Sequence, residues 1–166
     1  VCVRPSSISG NGVFATSDID QGEIVTCYPG DLVVSPPAGA QYVWGEHVPE
    51  TLRVVTKQSE DYAIKVDDTF AIRGLPELAD NTAYAGHLIN DGAMLRGFGS
   101  FAQYLESSKR LANAGHNSLA GCHMITTATR PIAAGEEILV TYAPRYWQLK
   151  QHRQVVEFSR AFTSFL

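Results

Sequence analysis

The sequence predicts a mainly β fold of several small sheets with one or two helices. Three observations predict it. The apolar runs are short and rich in β-branched residues, as in Ile24–Tyr28, Leu32–Val34 and Ile138–Val140, and such runs suit strands better than helices. Turn-forming residues interrupt them about every 8–12 residues. A single stretch near the middle, residues 98–112, carries apolar groups at helical spacing.

The elements follow in order. Val1–Arg4 is expected to be extended. Ser9, Gly10, Asn11 and Gly12 form a turn of residues that tolerate positive φ. Strands are expected over Val13–Thr16, Ile24–Tyr28 and Leu32–Val34, the last stopped by Pro36 and Pro37. Tyr42–Trp44 and Leu52–Val55 read as short strands or a helical excursion. Asp61–Val66 and Thr69–Ile72 alternate and flank Asp67 and Asp68, which predicts a hairpin. Leu75–Leu78 reads as a loop, and Ala83–Asn90 as a short segment ending in the turn residues Asn90, Asp91 and Gly92. Phe98, Phe101, Leu105 and Leu111 predict a modest helix starting near Gly99 or Ser100. Asn117–Leu119 and Met124–Thr129 read as extended. Pro144 suits the first residue of a last helix, whose apolar face is Trp147, Val155, Phe158 and Phe162.

Composition narrows the function. The chain has 166 residues, 45% hydrophobic and 18% charged, which suits one globular domain and excludes a disordered one. No apolar run reaches the roughly 20 residues of a membrane helix, so no membrane partner is expected. Residues 1–16 lack an apolar core, so no signal peptide is expected, and the absent initiator Met suggests a cut or trimmed chain. Three scattered cysteines without a CxxC predict no zinc site and an intracellular location, nuclear or cytoplasmic. A net charge of −4 argues against direct nucleic-acid binding. Residues 46–91 hold nine acidic residues against four basic ones (Arg53, Lys57, Lys65, Arg73), a balance that would attract a basic protein or peptide.

The stretch with the clearest chemistry is Gly135–Tyr142, GEEILVTY. An acidic turn opens onto an apolar run that delivers a phenol to the start of a loop. This is a way to present a hydroxyl at a site, and also an ordinary way to close a core.

Four segments, in order, resemble the SET domain, the fold of most protein lysine methyltransferases. They are Gly10-Asn11-Gly12 with Val13-Phe14-Ala15, Tyr28-Pro29-Gly30, His87-Leu88-Ile89-Asn90, and Gly135–Tyr142. Asp20–Val25, Asp61-Tyr62 and Thr129–Ile132 resemble lesser family segments. The resemblance covers about residues 8–147. It implies a β-clip fold with a C-terminal pseudoknot, in a domain spanning 1–147 with an insertion over 92–115 and a helical flank over 148–166. Departures from the family pattern are Asp91 in place of a histidine, no following cysteine-proline, Val140 in place of an aromatic, and no zinc-binding cysteine cluster after the domain. Tyr146 and Trp147 stand there instead. The family's later asparagine is aligned with Asn117, to within a residue or two.

The resemblance implies transfer of a methyl group from S-adenosylmethionine to a lysine side chain of a protein, such as a histone tail. It implies that Tyr142 and Tyr62 are catalytic, and that Gly10, Asn11, Gly12, His87, Leu88, Asn90, Tyr146 and Trp147 bind the cofactor. Tyr28, Tyr62 and Val140 would line the substrate channel. Val140, smaller than the family aromatic, predicts room for a di- or trimethylated product. A lysine amine has a pKa of about 10.4 in water, and an apolar channel lowers it. Tyr142 is expected to orient the amine and polarise the methyl group, not to act as a base. Two other readings fit the same residues: a SET-like domain that binds peptide or cofactor with little or no turnover, suggested by Asp91, and a methyltransferase for a non-histone protein.

Overall fold

The computed structural model describes residues 1–35, 41–54, 58–93, 100–119, 121, 123–142, 146, 147 and 150. Its strands are β1 (Cys2–Pro5), β2 (Asn11–Phe14), β3 (Ile24–Cys27), β4 (Leu32–Ser35), β5 (Gln41–Trp44), β6 (Ala63–Lys65), β7 (Ala71–Arg73), β8 (Asn90–Asp91), β9 (Ala114–Ser118), β10 (Met124–Ala128) and β11 (Leu139–Val140). Helix α1 spans Phe101–Leu111, and five 3₁₀ turns fill the connections. The fold is mainly β, as the short apolar runs predict.

Four small sheets share the strands. β1 and β2 form an antiparallel hairpin, and β3, β10 and β9 a three-stranded antiparallel sheet. β5, β4, β7 and β6 form a four-stranded antiparallel sheet. β8 and β11 pair in parallel, with Leu139 opposite Asn90 and Val140 opposite Asp91. A parallel pair needs a long crossover, and here it contains α1, β9 and β10. The chain's early and late segments also meet: Ile138 N–H donates to Val13 O at 2.8 Å, and Ala15 N–H to Glu136 O at 3.0 Å. The main core, with Val13, Leu88, Ile89, Ile132, Ile138 and Val140, lies where they join. A second cluster holds Tyr28, Ile72 and Met124 under the larger sheets.

Several boundaries differ from the sequence reading, each for a local reason. Asn11 and Gly12 already belong to β2, paired with Pro5 and Arg4, so the strand ends at Phe14 and not at Thr16. The expected strand at Asp61–Val66 begins as a 3₁₀ turn over Gln58–Tyr62, and only Ala63–Lys65 is extended. Asp67 delays the next strand. Its Oδ1 accepts from Thr69 N and Thr69 Oγ1, both at 2.6 Å, and from Phe70 N at 3.1 Å. This local side-chain turn competes with the ladder, so β7 starts at Ala71. Glu50–Leu52, Pro76–Leu78, Thr82–Tyr84 and Gly86–Leu88 are 3₁₀ turns, because segments this short cannot nucleate an α-helix. The strand at the end of GEEILVTY is only Leu139–Val140, since its partner β8 stops before Gly92. α1 starts after Ser100, whose Oγ accepts from Gln103 N at 3.3 Å. The strand expected at Asn117–Leu119 runs from Ala114 to Ser118. Phe98, Gly99, Val55, Pro36, Pro37 and, apart from Lys150, the expected helical flank over 148–166 lie outside the described residues.

Candidate active site

Tyr142 leaves the end of β11 with three hydrogen-bonding groups engaged. Its N–H donates to Asp91 Oδ2 at 2.8 Å, its carbonyl accepts from Tyr104 Oη at 2.5 Å, and its own Oη donates to Ile89 O at 2.7 Å. The parallel β8–β11 pairing makes this possible, since it sets β8 alongside the approach to Tyr142.

Asp91 is the centre of this arrangement. It is 3% exposed and accepts from four donors: Tyr142 N, Ala93 N at 2.9 Å, Ser108 Oγ at 2.7 Å and Tyr104 Oη. Ser108 and Tyr104 are four residues apart on α1 and so share a face. The Tyr104 hydroxyl has one proton for two acceptors, Asp91 Oδ2 and Tyr142 O, and it accepts in turn from Trp147 Nε1 at 2.7 Å. A buried carboxylate is tolerated when donors replace its water. Asp91 is thus the anchor for α1.

Its neighbour Asn90 serves the opposite face of β8, as strand alternation requires. Its Nδ2 lies 3.1 Å from each of Ser9 O, Asn11 O and Glu137 Oε1. The Gly10–Gly12 turn is thereby tied to β8 and to the acidic turn. A Cβ on Gly12 would lie 2.3 Å from Glu137 Oε1, while Gly10 has φ +49° with open space around it. Gly12 therefore serves close packing and Gly10 the left-handed backbone.

Beyond Tyr142 lies a cavity of about 760 Å³, lined among others by Tyr28, His87, His116, Val140, Tyr142 and Tyr146. Tyr28 Oη donates to Tyr62 O at 2.7 Å. The Tyr142 and Tyr146 rings are 4.6 Å apart, and the His87 ring stands edge-on to Tyr28 and Tyr62 at 6.2 and 6.0 Å. The buried phenols and imidazoles on this wall are held neutral. Burial pushes the Tyr142, Tyr28 and Tyr62 phenols above their ordinary value, and the neighbouring hydroxyls reinforce it. Burial lowers His87 to about 4, against a smaller opposing pull from Asp31. Neither His87 ring nitrogen makes a well-aligned hydrogen bond, though the Leu75 and Tyr84 backbone lies near enough to raise its basicity slightly. Burial also lowers His116 to about 4; its Nδ1 pairs with Thr126 Oγ1 at 2.9 Å.

The residues singled out from sequence fall into two groups. Tyr28, His87, Val140, Tyr142 and Tyr146 line the cavity, with Tyr62 packed beside it. Gly10, Asn11, Gly12 and Asn90 lie together outside that lining. Leu88 is in the core, and its N–H is engaged with Ala85 O at 3.0 Å. Trp147 sits toward the Asp91 cluster, 6.1 Å from the Tyr104 ring.

Sequence reasoning missed three contributors. Asn113 is fully buried: its Nδ2 donates to Glu137 O and Glu136 Oε1, and its Oδ1 accepts from Leu139 N. Asn117, aligned with that role from sequence, is exposed and bonds only within its own sheet. Tyr104 and Glu137 were also missed. A usable signal was the pair Asn113-Ala114 just after α1, where β9 begins.

Strand pairing, glycine turn and buried tyrosine define a small β domain whose site is assembled from segments distant in sequence. The sequence profile of the SET domain matches residues 10–143. The chain belongs to the SET-domain family, most of whose members are protein lysine methyltransferases. A Plasmodium falciparum protein named as a candidate histone methyltransferase has a similar crystal structure, with 20% identity and a TM-score of 0.46, over 88% of this chain and 95% of that one. No curated protein matches in sequence. Among the described residues no helix is long and apolar enough to cross a membrane.

Proposed function

We propose that the chain is an S-adenosylmethionine-dependent lysine methyltransferase acting on a basic protein or peptide, such as a histone tail. The observation that carries this reading is the half-buried Tyr142 phenol on the cavity wall, with its proton committed to the Ile89 carbonyl.

A carbonyl cannot take that proton, and burial holds the phenol above its ordinary pKa. Tyr142 therefore does not act as a base. With the proton so directed, the oxygen lone pairs are free to accept from an amine or to face a methyl group carrying positive charge. The neutral wall of Tyr28, Tyr62 and Tyr146 disfavours an ammonium and promotes its loss of a proton to water. Once deprotonated, the amine is held for in-line attack at short range. Val140, small and buried against the cavity, leaves room for a methylated amine.

The residues present fit the cofactor. The Asn90 Oδ1 has no partner among the described residues, which leaves an acceptor for an α-ammonium beside the open space at Gly10. Asn90 and the Gly10–Gly12 backbone would hold the amino-acid end, and Tyr146 would flank the reacting end. When bound, S-adenosylmethionine supplies an electrophilic methyl group on a sulfonium. Asp91, the reason to weigh a non-catalytic reading, has all four of its described bonds inside the protein.

The test is transfer of labelled methyl from S-adenosylmethionine to a panel of basic proteins. Tyr142→Phe is expected to lower the rate by roughly 10²–10³-fold while calorimetric cofactor affinity stays unchanged. Labelling that survives loss of the hydroxyl would remove Tyr142 from the chemistry. No cofactor binding by the unaltered chain would favour the non-catalytic reading. Mass spectrometry of the product reads the Val140 expectation: only monomethyl-lysine under excess cofactor would sink it.

A further inference from the structure

We propose that Lys150 is a self-methylation site, its amine being the chain's own occupant of the place assigned above to the substrate lysine. The inference rests on the methyltransferase reading.

Lys150 Nζ donates to Tyr146 Oη at 3.2 Å and lies 5.4 Å from the Tyr146 ring centre and 5.9 Å from that of Trp147. Tyr146 and Lys150 are helical and four residues apart, so this contact alone is ordinary. The surroundings of Tyr146 are not. Its ring packs 4.6 Å from that of Tyr142 and lines the same cavity. Its hydroxyl is close enough to Tyr28, Tyr62 and Tyr142 to oppose ionisation of all three. The Lys150 ammonium is felt at Tyr62 as well, where it eases ionisation. The amine thus bonds to the tyrosine whose ring packs on Tyr142 and lines the cavity. It is half-buried and has no carboxylate partner among the described residues. Of the two lysines in the cavity lining, Lys65 is exposed and paired with Asp68, and Lys109 lies on α1.

A tethered amine has an effective concentration in the millimolar range and competes with free substrate. In the step itself the ammonium first loses a proton to water. The Nζ lone pair then forms the new N–C bond as the S–CH₃ bond of S-adenosylmethionine breaks, its electron pair returning to sulfur, and S-adenosylhomocysteine leaves. The methylated amine keeps its charge and loses a donor.

The full chain is incubated with labelled S-adenosylmethionine, with and without basic proteins, and mapped by tandem mass spectrometry. Label is expected on Lys150, lost in Lys150→Arg and kept in Lys65→Arg and Lys109→Arg. The labelled fraction per unit time should hold over about a hundredfold dilution, as an intramolecular step requires. A second readout needs no turnover: Lys150→Ala should tighten binding of a Lys-containing basic peptide by several-fold in fluorescence anisotropy. Label on Lys65 or Lys109 instead, or on added proteins while Lys150 stays unmodified, overturns the proposal and leaves the methyltransferase reading standing. Absence of label on every protein overturns both.

Discussion

Two regions meet at Tyr142 and are built on opposite terms. The polar knot around Asp91, Asn90 and Asn113 is dense in hydrogen bonds, half of them joining a side chain to the backbone of a distant segment. The cavity wall of Tyr28, His87, His116 and Tyr146 is dense in rings, with few hydrogen bonds among them. The first region fixes where Tyr142 is. The second surrounds its ring with buried phenols and imidazoles whose neutral forms burial favours. Positioning here is a matter of directional bonds, and chemistry a matter of environment.

The strongest break in this comparison is Asp91→Ala. It would leave Tyr142 N–H, Ala93 N–H and the Ser108 and Tyr104 hydroxyls without their shared acceptor. Such a loss is expected to cost roughly 3–5 kcal/mol, a large part of the stability of a domain this size. Asp91→Asn keeps the volume but turns donors toward donors, and should recover only part. The urea unfolding midpoint measures both. A loss below about 1 kcal/mol for the alanine variant would mean that Tyr142 is held by packing and not by the knot.

The two regions were unequally legible in the sequence. Much of the cavity wall could be read residue by residue, because Tyr28, Val140 and Tyr142 each sit in a short motif on a strand or turn whose type is local. Asn90 was legible for the same reason. The knot was not. Asp91 carries no local signal for four donors, of which Tyr104 and Ser108 come from a helix that the sequence located without showing what its buried face meets. Asn113 lies four residues before Asn117, outside the residue or two that the sequence alignment allowed, and just ahead of β9. Gly12 was read from sequence as a glycine for close approach to the cofactor, whereas the nearest atom to it belongs to the Glu137 side chain, far along the chain. At the level of elements, the turn-punctuated apolar runs sufficed for the class, while Asp67 and the brevity of β8 decided boundaries that no periodicity contains.

A smaller effect probes the cavity wall. His87 and His116 sit at about 4 in the folded chain against an ordinary 6.5. As pH falls below 6.5, the unfolded chain takes up protons that the folded chain refuses, so stability is complete above that value and drains away between 6.5 and 4. The loss should reach roughly 2 kcal/mol per histidine near pH 5. His116→Asn should flatten the profile of unfolding midpoint against pH by about half. An unaltered chain whose midpoint is level across this window would show that water reaches the rings, and the wall could not then suppress an ammonium as proposed.

The smallest effect sharpens the role of the insertion. Ser100 caps α1 through a long bond to Gln103 N, so Ser100→Ala should cost only about 0.5–1 kcal/mol. Tyr104 is in the first turn after that cap and Ser108 a turn further on. Fraying from the cap therefore loosens Tyr104 first and leaves the Ser108 bond to Asp91 in place. If Tyr104 helps to hold Tyr142, the Tyr142 amide should exchange with deuterium about two- to fivefold faster in the variant. If that amide is unmoved while amides of the first turn of α1 speed up, Asp91 holds Tyr142 alone. The helix would then be an attachment to the knot, and the Asp91 carboxylate would be sufficient by itself.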